Sequence, residues 1–281
     1  MRARGLFKHA LGFFLAAFLL PSSVSAGEGN LEFLAPEGPQ VVFAGSQQTI
    51  QVIVRNPTTQ ILDEEIFLRL YQTSSATRMP VGDGQSWKKL RVLPGQTVMD
   101  ATILVFPAIK TGTGFQVQWS AVDGRTLGHL DVMVYPEDLL GKLKSLAGQE
   151  PVGLVDGGGQ LAALLKKWKV DFTDLRGDDL REGFKGRLIL AVFSSKEEMT
   201  ESLRETLIGQ AKRGAAVVWI QPTTVASAVH VYHLERGAIV AAPLSSIAGL
   251  KDSPSAQLNL LRSAELALQP DPHHFFEGTQ P

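Results

Sequence analysis

The sequence predicts two domains of different classes, an all-β sandwich followed by an α/β domain whose parallel sheet has helices on both faces. Two observations predict this division. Between residues 27 and 136, short stretches alternate apolar and polar residues and are separated by turn residues. Between residues 151 and 269, continuous apolar stretches alternate with helical patterns. The length of 281 residues is sufficient for two domains of ordinary size.

The composition excludes several classes of protein. The 27 Lys and Arg residues and the 28 Asp and Glu residues give a formal net charge of −1, so no surplus of basic residues predicts a nucleic-acid partner. The chain contains no cysteine, which excludes disulfides, thiolate metal sites and cysteine nucleophiles. A hydrophobic fraction of 44% is typical of a globular protein and not of a disordered one.

Residues 1–26 are predicted to be a secretory signal peptide. Arg2, Arg4 and Lys8 precede an apolar stretch at 10–20, and small residues lead to a cleavage site after Ala26. The apolar stretch is shorter than the ~20 residues that cross a bilayer, although an uncleaved N-terminal anchor is the alternative. No later segment has transmembrane length, so we expect a periplasmic or secreted protein with no transmembrane segment after cleavage.

The first domain, residues 27–136, is predicted to be an immunoglobulin-like β-sandwich. Alternation with a period of two indicates antiparallel sheets with one buried face each, and the strand number and length fit that fold. Gly82-Asp83-Gly84 is predicted to be a turn. Trp119 is predicted to be a core residue and Trp87 an edge aromatic; in the alternative, either ring stacks on a sugar. The predicted strands include 48–54, 65–71, 98–106, 115–122 and 128–135.

Two stretches of this domain carry a resemblance. The segment 49–58 (TIQVIVRNPT) and the segment 93–97 (LPGQT) resemble bacterial Ig-like and fibronectin-III-like modules of secreted proteins. In those modules an LPGQT-like turn precedes the strand that completes a sheet. The resemblance implies a spacer, a sugar-binding surface or a protein-docking surface, and the expected partner is an envelope or secreted protein or a cell-wall glycan.

Residues 137–150 are predicted to be a linker helix, because leucines at 139, 140, 143 and 146 have helical spacing. The domain at 151–269 is predicted to be a flavodoxin-like α/β layer structure. The residues Ser194, Ser195 and Glu198 resemble a capping box that opens a helix ending at Arg213. The predicted strands are 152–155, 170–175, 187–193, 215–220 and 238–242, and the predicted helices are 160–169, 194–213 and 257–268.

Four stretches of the second domain are similar to class I glutamine amidotransferase-like domains. They are VGLVDGGGQLAALLKKWKVDFTDL, GRLILAV, KRGAAVVWIQP and RGAIVAAPLSSIAGLKDSPSAQLNLLRSAELAL. Active members of that family carry a cysteine nucleophile with a downstream His and Glu. This chain has no cysteine, so the resemblance implies the fold of a non-catalytic branch of secreted bacterial proteins and no catalytic residue is carried over.

The candidate ligand-binding residues are Asp156, Gly157, Gly158 and Gly159, at the end of the first predicted strand of the α/β domain. Ligands bind open α/β sheets at this edge, and N–H groups before a helix can hold an anion. The alternative is a tight strand-to-helix turn. Gly157, Gly159 and Leu161 do not supply a G-x-G-x-x-G dinucleotide motif, so we expect no cofactor.

His230 and His233 lie on a predicted strand or hairpin and point to opposite faces, so no metal site is predicted there. Residues 270–281 are predicted to be a C-terminal tail. The sequence therefore favours an exported, non-enzymatic binding or assembly protein. The first alternative is a hydrolase-like enzyme that uses Asp156 and residues near His230 in the crevice above the sheet. The second alternative is a carbohydrate-binding module.

Overall fold

The computed structural model describes residues 31–34, 38–175, 183–193, 200–222, 229–244 and 247–269. The predicted signal peptide, the predicted capping box at Ser194 and the predicted tail at 270–281 lie outside these residues. Within them, the protein is mostly β, with three sheets and a few helices. No helix of the described residues is long and apolar enough to cross a membrane.

The first eight strands form two sheets, which enclose one core. One sheet has three antiparallel strands in the order β1-β3-β6, and the other has five strands in the order β2-β8-β7-β4-β5. In the five-stranded sheet only β2 pairs parallel with its neighbour. The strands are β1 (Glu32–Leu34), β2 (Gln40–Phe43), β3 (Gln47–Arg55), β4 (Leu62–Thr73), β5 (Arg78–Val92), β6 (Thr97–Val105), β7 (Thr113–Ala121) and β8 (Thr126–Tyr135).

Alternation of apolar residues directs one face of each sheet inward, as the sequence pattern indicates. Along β4, Ile66, Leu68 and Leu70 are buried while the residues between them are not. Trp119 on β7 is fully buried, which confirms its predicted place in the core. The ring of Trp119 stacks on that of Phe33 at 5.2 Å between centroids.

The remaining strands form a six-stranded sheet in the order β10-β9-β11-β12-β14-β13, parallel except for the edge strand β13. Its four inner strands are mostly continuous apolar segments because both faces of the sheet are covered there. The strands are β9 (Val152–Asp156), β10 (Phe172–Asp174), β11 (Leu188–Val192), β12 (Ala216–Pro222), β13 (His230–Leu234) and β14 (Gly237–Leu244). The helices are α1 (Leu143–Leu146), α2 (Gln160–Lys167), α3 (Glu201–Lys212) and α4 (Pro254–Leu268), with short 3₁₀ turns at Leu139–Lys142 and Ala248–Lys251.

Helices lie on both faces of this sheet. Leu161 of α2 and Leu260 of α4 pack against one face, together with Leu190 of β11. Leu207 of α3 packs against the opposite face, together with Ile189 of β11. Since consecutive residues of a strand point to opposite faces, a single buried strand contributes to two separate cores.

Three sequence expectations are corrected by the structure. The Gly82-Asp83-Gly84 segment is not a turn but lies inside β5, which is 15 residues long and has register shifts opposite Ile66/Phe67 and Leu68/Leu70. The long helix predicted from Ser194 has its N-cap at Thr200, whose Oγ1 accepts a hydrogen bond from the Leu203 N–H. Glycine and capping patterns are short-range signals with more than one structural outcome. Glycines occur in β-bulges as well as in turns, and two nearby residues can each be suited to cap the same helix.

The predicted linker helix at 137–150 is instead a 3₁₀ turn followed by the four residues of α1. Its leucines 139, 140 and 143 are buried in the core below α2 and α4. Phe43 of β2 is buried in the same core, and Tyr135 of β8 packs against it. The segment that follows β8 therefore lies in the hydrophobic core of the six-stranded sheet.

Candidate binding surfaces

Asp156 ends strand β9 and is almost completely buried. Its Oδ1 accepts a hydrogen bond from the Gly159 N–H at 3.0 Å, and its Oδ2 accepts one from the Ala162 N–H at 3.0 Å. Gly159 has a φ of 67° and is the N-cap residue of α2, a position at which a left-handed conformation favours glycine. Gly157 and Gly158 are exposed in the turn between β9 and α2.

The Asp156 carboxylate occupies the place that an anion would take at the start of α2. A carboxylate that accepts from N–H groups in the first turn of a helix satisfies donors that have no partner inside the helix and complements the helix dipole. The geometry fits a tight strand-to-helix turn, and ligand binding by Asp156 and the three glycines stays a prediction. Each carboxylate oxygen of Asp156 is already engaged with the backbone.

The enzyme alternative needs Asp156 and the region of His230 to act on one substrate. Strand β13, which carries His230, is separated from β9 by three strands of the sheet. At about 4.8 Å between neighbouring strands, the two strands lie roughly 19 Å apart. His230 and His233 are both exposed on β13, three residues apart on a regular strand. In the described part of the chain, no group of three or more His, Asp or Glu side chains could hold a metal ion.

The outer side of the three-stranded sheet carries a surface that the sequence analysis missed. We define the apolar face as Leu34, Ile53, Met99, Ala101, Ile103 and Val105. On β6 the exposed fractions are 69% for Met99, 63% for Ile103 and 58% for Val105. Leu34, Ile53 and Met99 form one row across the sheet, because Leu34 pairs with Ile53 and Ile53 with Met99. Strand β6 also has apolar residues at even positions, and these point inward. Apolar residues therefore lie on both faces of the strand, so the sequence pattern does not show which face is buried.

Strand β6 lies at the edge of its sheet, but this edge is blocked in the middle. Asn56 N–H donates to the Gln96 carbonyl at 2.9 Å, and hydrogen-bonded pairs alternate along an antiparallel ladder. The backbone N–H and C=O groups of the even-numbered residues of β6 therefore bond to β3, and those of the odd-numbered residues point to the free edge. At that edge the Ala101 N–H donates to Asp100 Oδ1 at 2.7 Å. Lys88 Nζ binds the same oxygen at 2.6 Å. A side chain thus takes a donor that an added strand would need.

The five-stranded sheet has a hollow on its outer side, above the centre of β4. We define the hollow by Phe67, Arg69 and Tyr71 of β4, Asp83 and Gly84 of β5, and Gln118 and Ser120 of β7, with the turn at 121–124 at one end. Its volume is about 420 Å³. Trp87, the predicted edge aromatic, lies elsewhere: its partly buried ring packs on Phe33 and Trp119. Neither tryptophan therefore lines this hollow.

No protein-family model matches the sequence, and no curated protein matches it. Among solved structures, a β-glucosidase from Listeria innocua in complex with gluconolactone is 14% identical, with a TM-score of 0.29, over 38% of this chain and 16% of that chain. The alkylpurine DNA glycosylase AlkC from Pseudomonas fluorescens is 10% identical, with a TM-score of 0.30, over 38% of this chain and 31% of that chain.

The CARDB domain of the PF1109 protein from Pyrococcus furiosus is 13% identical, with a TM-score of 0.26, over 38% of this chain and 94% of that chain. The matched part of this chain spans about a sixth of the β-glucosidase and about a third of the glycosylase. Similarities of this size identify neither a fold nor a function for the chain.

Proposed function

We propose that this chain is an exported binding and assembly protein that associates with a second copy of itself through the apolar face. The observation that carries the proposal is the exposure of contiguous apolar side chains on the outer side of the three-stranded sheet. The exposed patch is on the order of 500 Å², within the range of the largest apolar patch on a soluble monomer, a patch that often has a function. Solvent exposure of Met99 and Ile103 in a monomer has an unfavourable hydration free energy that a partner surface would remove.

The occupant of the apolar face is argued from charge and area. The outward residues beside the β6 stripe are Gln47, Thr49 and Gln51, which carry no charge, so a second copy brings no like charges together. At one end of the face, Glu32 pairs in register with Arg55, which offers both signs of charge to a symmetric partner. Two copies of the face would bury about 1,000 Å², the lower limit for a specific interface.

The blocked edge of β6 determines the geometry of this pairing. Because Asp100 holds the Ala101 N–H, a partner strand cannot continue the sheet at its centre. Packing of one outer face on the other leaves every backbone hydrogen bond in place and resembles the packing of sheets inside a sandwich. We therefore propose a face-to-face dimer and not an edge-to-edge one.

The proposal includes the finer assignment of fold and location. When only the five parallel strands are numbered in chain order, β10-β9-β11-β12-β14 is the order 2-1-3-4-5, which supports a flavodoxin-like assignment for residues 151–269. The antiparallel edge strand β13, which precedes β14 in the chain, is an addition to that order. The eight strands in two sheets support an Ig-like assignment for residues 27–136. The backbone bonds of Asp156 support a non-catalytic role for the α/β part, as in a degenerate amidotransferase-like domain. Residues 1–26 are proposed to direct export to the periplasm or beyond.

The test is the molar mass of the purified protein between about 1 and 100 µM, measured by sedimentation equilibrium. The wild type is expected to shift from monomer toward dimer over this range, and Ile103→Glu is expected to remain monomeric. Val122→Glu is the matched control, because Val122 is 66% exposed but lies after β7, away from the three-stranded sheet.

Circular dichroism establishes that each variant is folded before its mass is interpreted. A wild type that is monomeric at the highest concentration refutes the assignment of a second copy to the apolar face. An unchanged dimer in Ile103→Glu refutes the choice of surface. Export is tested separately, by sequencing the N-terminus of the protein recovered from the periplasm; an intact Met1 in that fraction contradicts cleavage after Ala26.

A further inference from the structure

The hollow on the five-stranded sheet owes its shape to small residues on the strands beside β4. Phe67 pairs in register with Ser86 of β5 and with Ser120 of β7. Farther along β4, the Arg69 side chain lies over Gly84, where an added Cβ would be 3.6 Å from Arg69 Nε. Larger side chains at these positions would fill the space above the sheet. The register therefore leaves an aromatic ring and a guanidinium side by side on β4, with a depression around them.

The guanidinium of Arg69 is available in this hollow. Among the described residues, Arg69 forms no ion pair and no side-chain hydrogen bond, and its side chain is exposed. A guanidinium presents a planar set of N–H donors that matches the two oxygens of a carboxylate. An exposed arginine is common on protein surfaces, so the position of Arg69 matters because of what surrounds it.

A second guanidinium is held in place beside the hollow. The Arg78 guanidinium carbon lies 3.7 Å from the centroid of the Tyr71 ring, an arrangement that is favourable for a cation above an aromatic face. Arg78 also donates to Gln118 Oε1. Gln118 in turn donates through Nε2 to Thr126 Oγ1 at 3.1 Å. The chain of contacts crosses four strands and fixes both Arg78 and one wall of the hollow before any ligand arrives.

The remaining lining is suited to hydroxyl groups. The Ser120 side chain is partly buried at the edge of the hollow, and the Asp83 carboxylate is exposed at the opposite side, on β5. A carboxylate oxygen accepts hydrogen bonds from sugar hydroxyls. The hollow thus combines an aromatic ring, an available guanidinium and hydroxyl-binding groups in about 420 Å³, within the usual size of small-molecule sites, roughly 300–1,000 Å³.

We infer that the hollow binds a carboxylate-bearing saccharide, with the sugar carboxylate on Arg69 and an apolar face of the ring on Phe67. The carboxylate and the guanidinium supply a charge-assisted pair, and the aromatic ring supplies a flat surface for the C–H groups of the sugar. Ser120 and Asp83 lie where hydroxyl groups of the same ring can reach them. The inference does not depend on the proposed dimer, because the hollow and the apolar face lie on different sheets.

The test uses trigalacturonate as the acidic probe, maltotriose as the neutral saccharide and acetate as a carboxylate without a sugar. Binding to the purified protein is followed by the chemical-shift changes of backbone amides in β4 and β7. We expect saturable binding of trigalacturonate and weaker or no binding of maltotriose and acetate. Arg69→Ala is expected to raise the dissociation constant for trigalacturonate at least about tenfold. The dissociation constant of Arg69→Lys is expected to lie between those of the wild type and Arg69→Ala.

Arg91→Ala is the matched control, since Arg91 is an exposed arginine of β5 that pairs in register with Asp63, away from the hollow. Unchanged affinity in Arg91→Ala together with the loss in Arg69→Ala supports the site. Three outcomes overturn the inference: no saturable binding of trigalacturonate, equal losses in both arginine variants, or binding of acetate or maltotriose as tight as that of trigalacturonate. A dimer that fails to form leaves each of these readings unaffected.

Discussion

Replacement of Asp156 distinguishes a structural carboxylate from one that is free to bind a ligand. Asp156→Ala removes the acceptor for the Gly159 and Ala162 N–H groups, and these donors lie at a turn that is only partly covered. A hydrogen bond to a charged acceptor contributes about 1.5–3 kcal/mol, and solvent access to the turn favours the lower value for each bond. We therefore expect the free energy of unfolding to fall by about 3 kcal/mol.

Urea unfolding followed by the circular dichroism of the helices measures this loss, because the helices of the described residues all belong to the part around the six-stranded sheet. With a slope of about 2 kcal/mol per molar urea, the midpoint is expected to fall by about 1.5 M. Asp156→Asn keeps one oxygen acceptor, so it should lose about half as much.

The control for this experiment is Asp171→Ala. Asp171 precedes β10, and its ion pair with Lys144 is 3.6 Å long and largely exposed to solvent. An exposed pair of this kind contributes less than about 1 kcal/mol. The reasoning is refuted when Asp156→Ala unfolds at the same urea concentration as Asp171→Ala, since the backbone bonds of Asp156 would then add nothing to stability.

Two further substitutions test how the architecture is held together. The buried Asn56 amide donates to the Gln60 and Val92 carbonyls at 2.7 and 2.9 Å, and in Asn56→Asp a carboxylate would face these two carbonyls. We expect the free energy of unfolding, measured by thermal unfolding, to fall by about 3–5 kcal/mol. An unchanged Tm contradicts this expectation. In Gly237→Ala, the new Cβ would lie 2.4 Å from the Ala215 carbonyl oxygen, so Tm should fall by roughly 6 °C. Gly141→Ala is the control, because an added Cβ there has open space around it and should change Tm little. Equal shifts in the two variants would falsify the close-contact argument.

Most strands of both parts could be predicted from the sequence because their signals are local, whereas β1, β2 and the long strand β5 were missed. Alternation in β3 and β7 and the continuous apolar segments of β11 and β12 agree with the structure to within a few residues at each end. The order of the strands in the sheets depends on contacts between distant residues, and no local pattern contains it. The prediction of helices on both faces depended on the alternation of elements and not on any single residue.

The two surfaces could not be predicted, for separate physical reasons. The hollow depends on the register that places Ser86 and Ser120 beside Phe67, and residue spacing along one strand does not reveal its neighbours. The apolar face was hidden because β6 has apolar residues at both odd and even positions, so the period-two pattern gives no inward side. Asp100, the charged residue at an inward position, is accounted for by its contacts with Lys88 and the Ala101 N–H.

Phe43 and Tyr135 belong by position to the sandwich strands, yet their rings complete the core around α4. A gene fragment that ended after β8 would encode every strand of the two sandwich sheets and still leave these two aromatic rings facing water. A fragment that began after β8 would leave the opposing helix surface without its covering. Recombination between β8 and the six-stranded sheet would therefore give two fragments that each expose apolar surface and are less soluble. We expect the two parts to be inherited together.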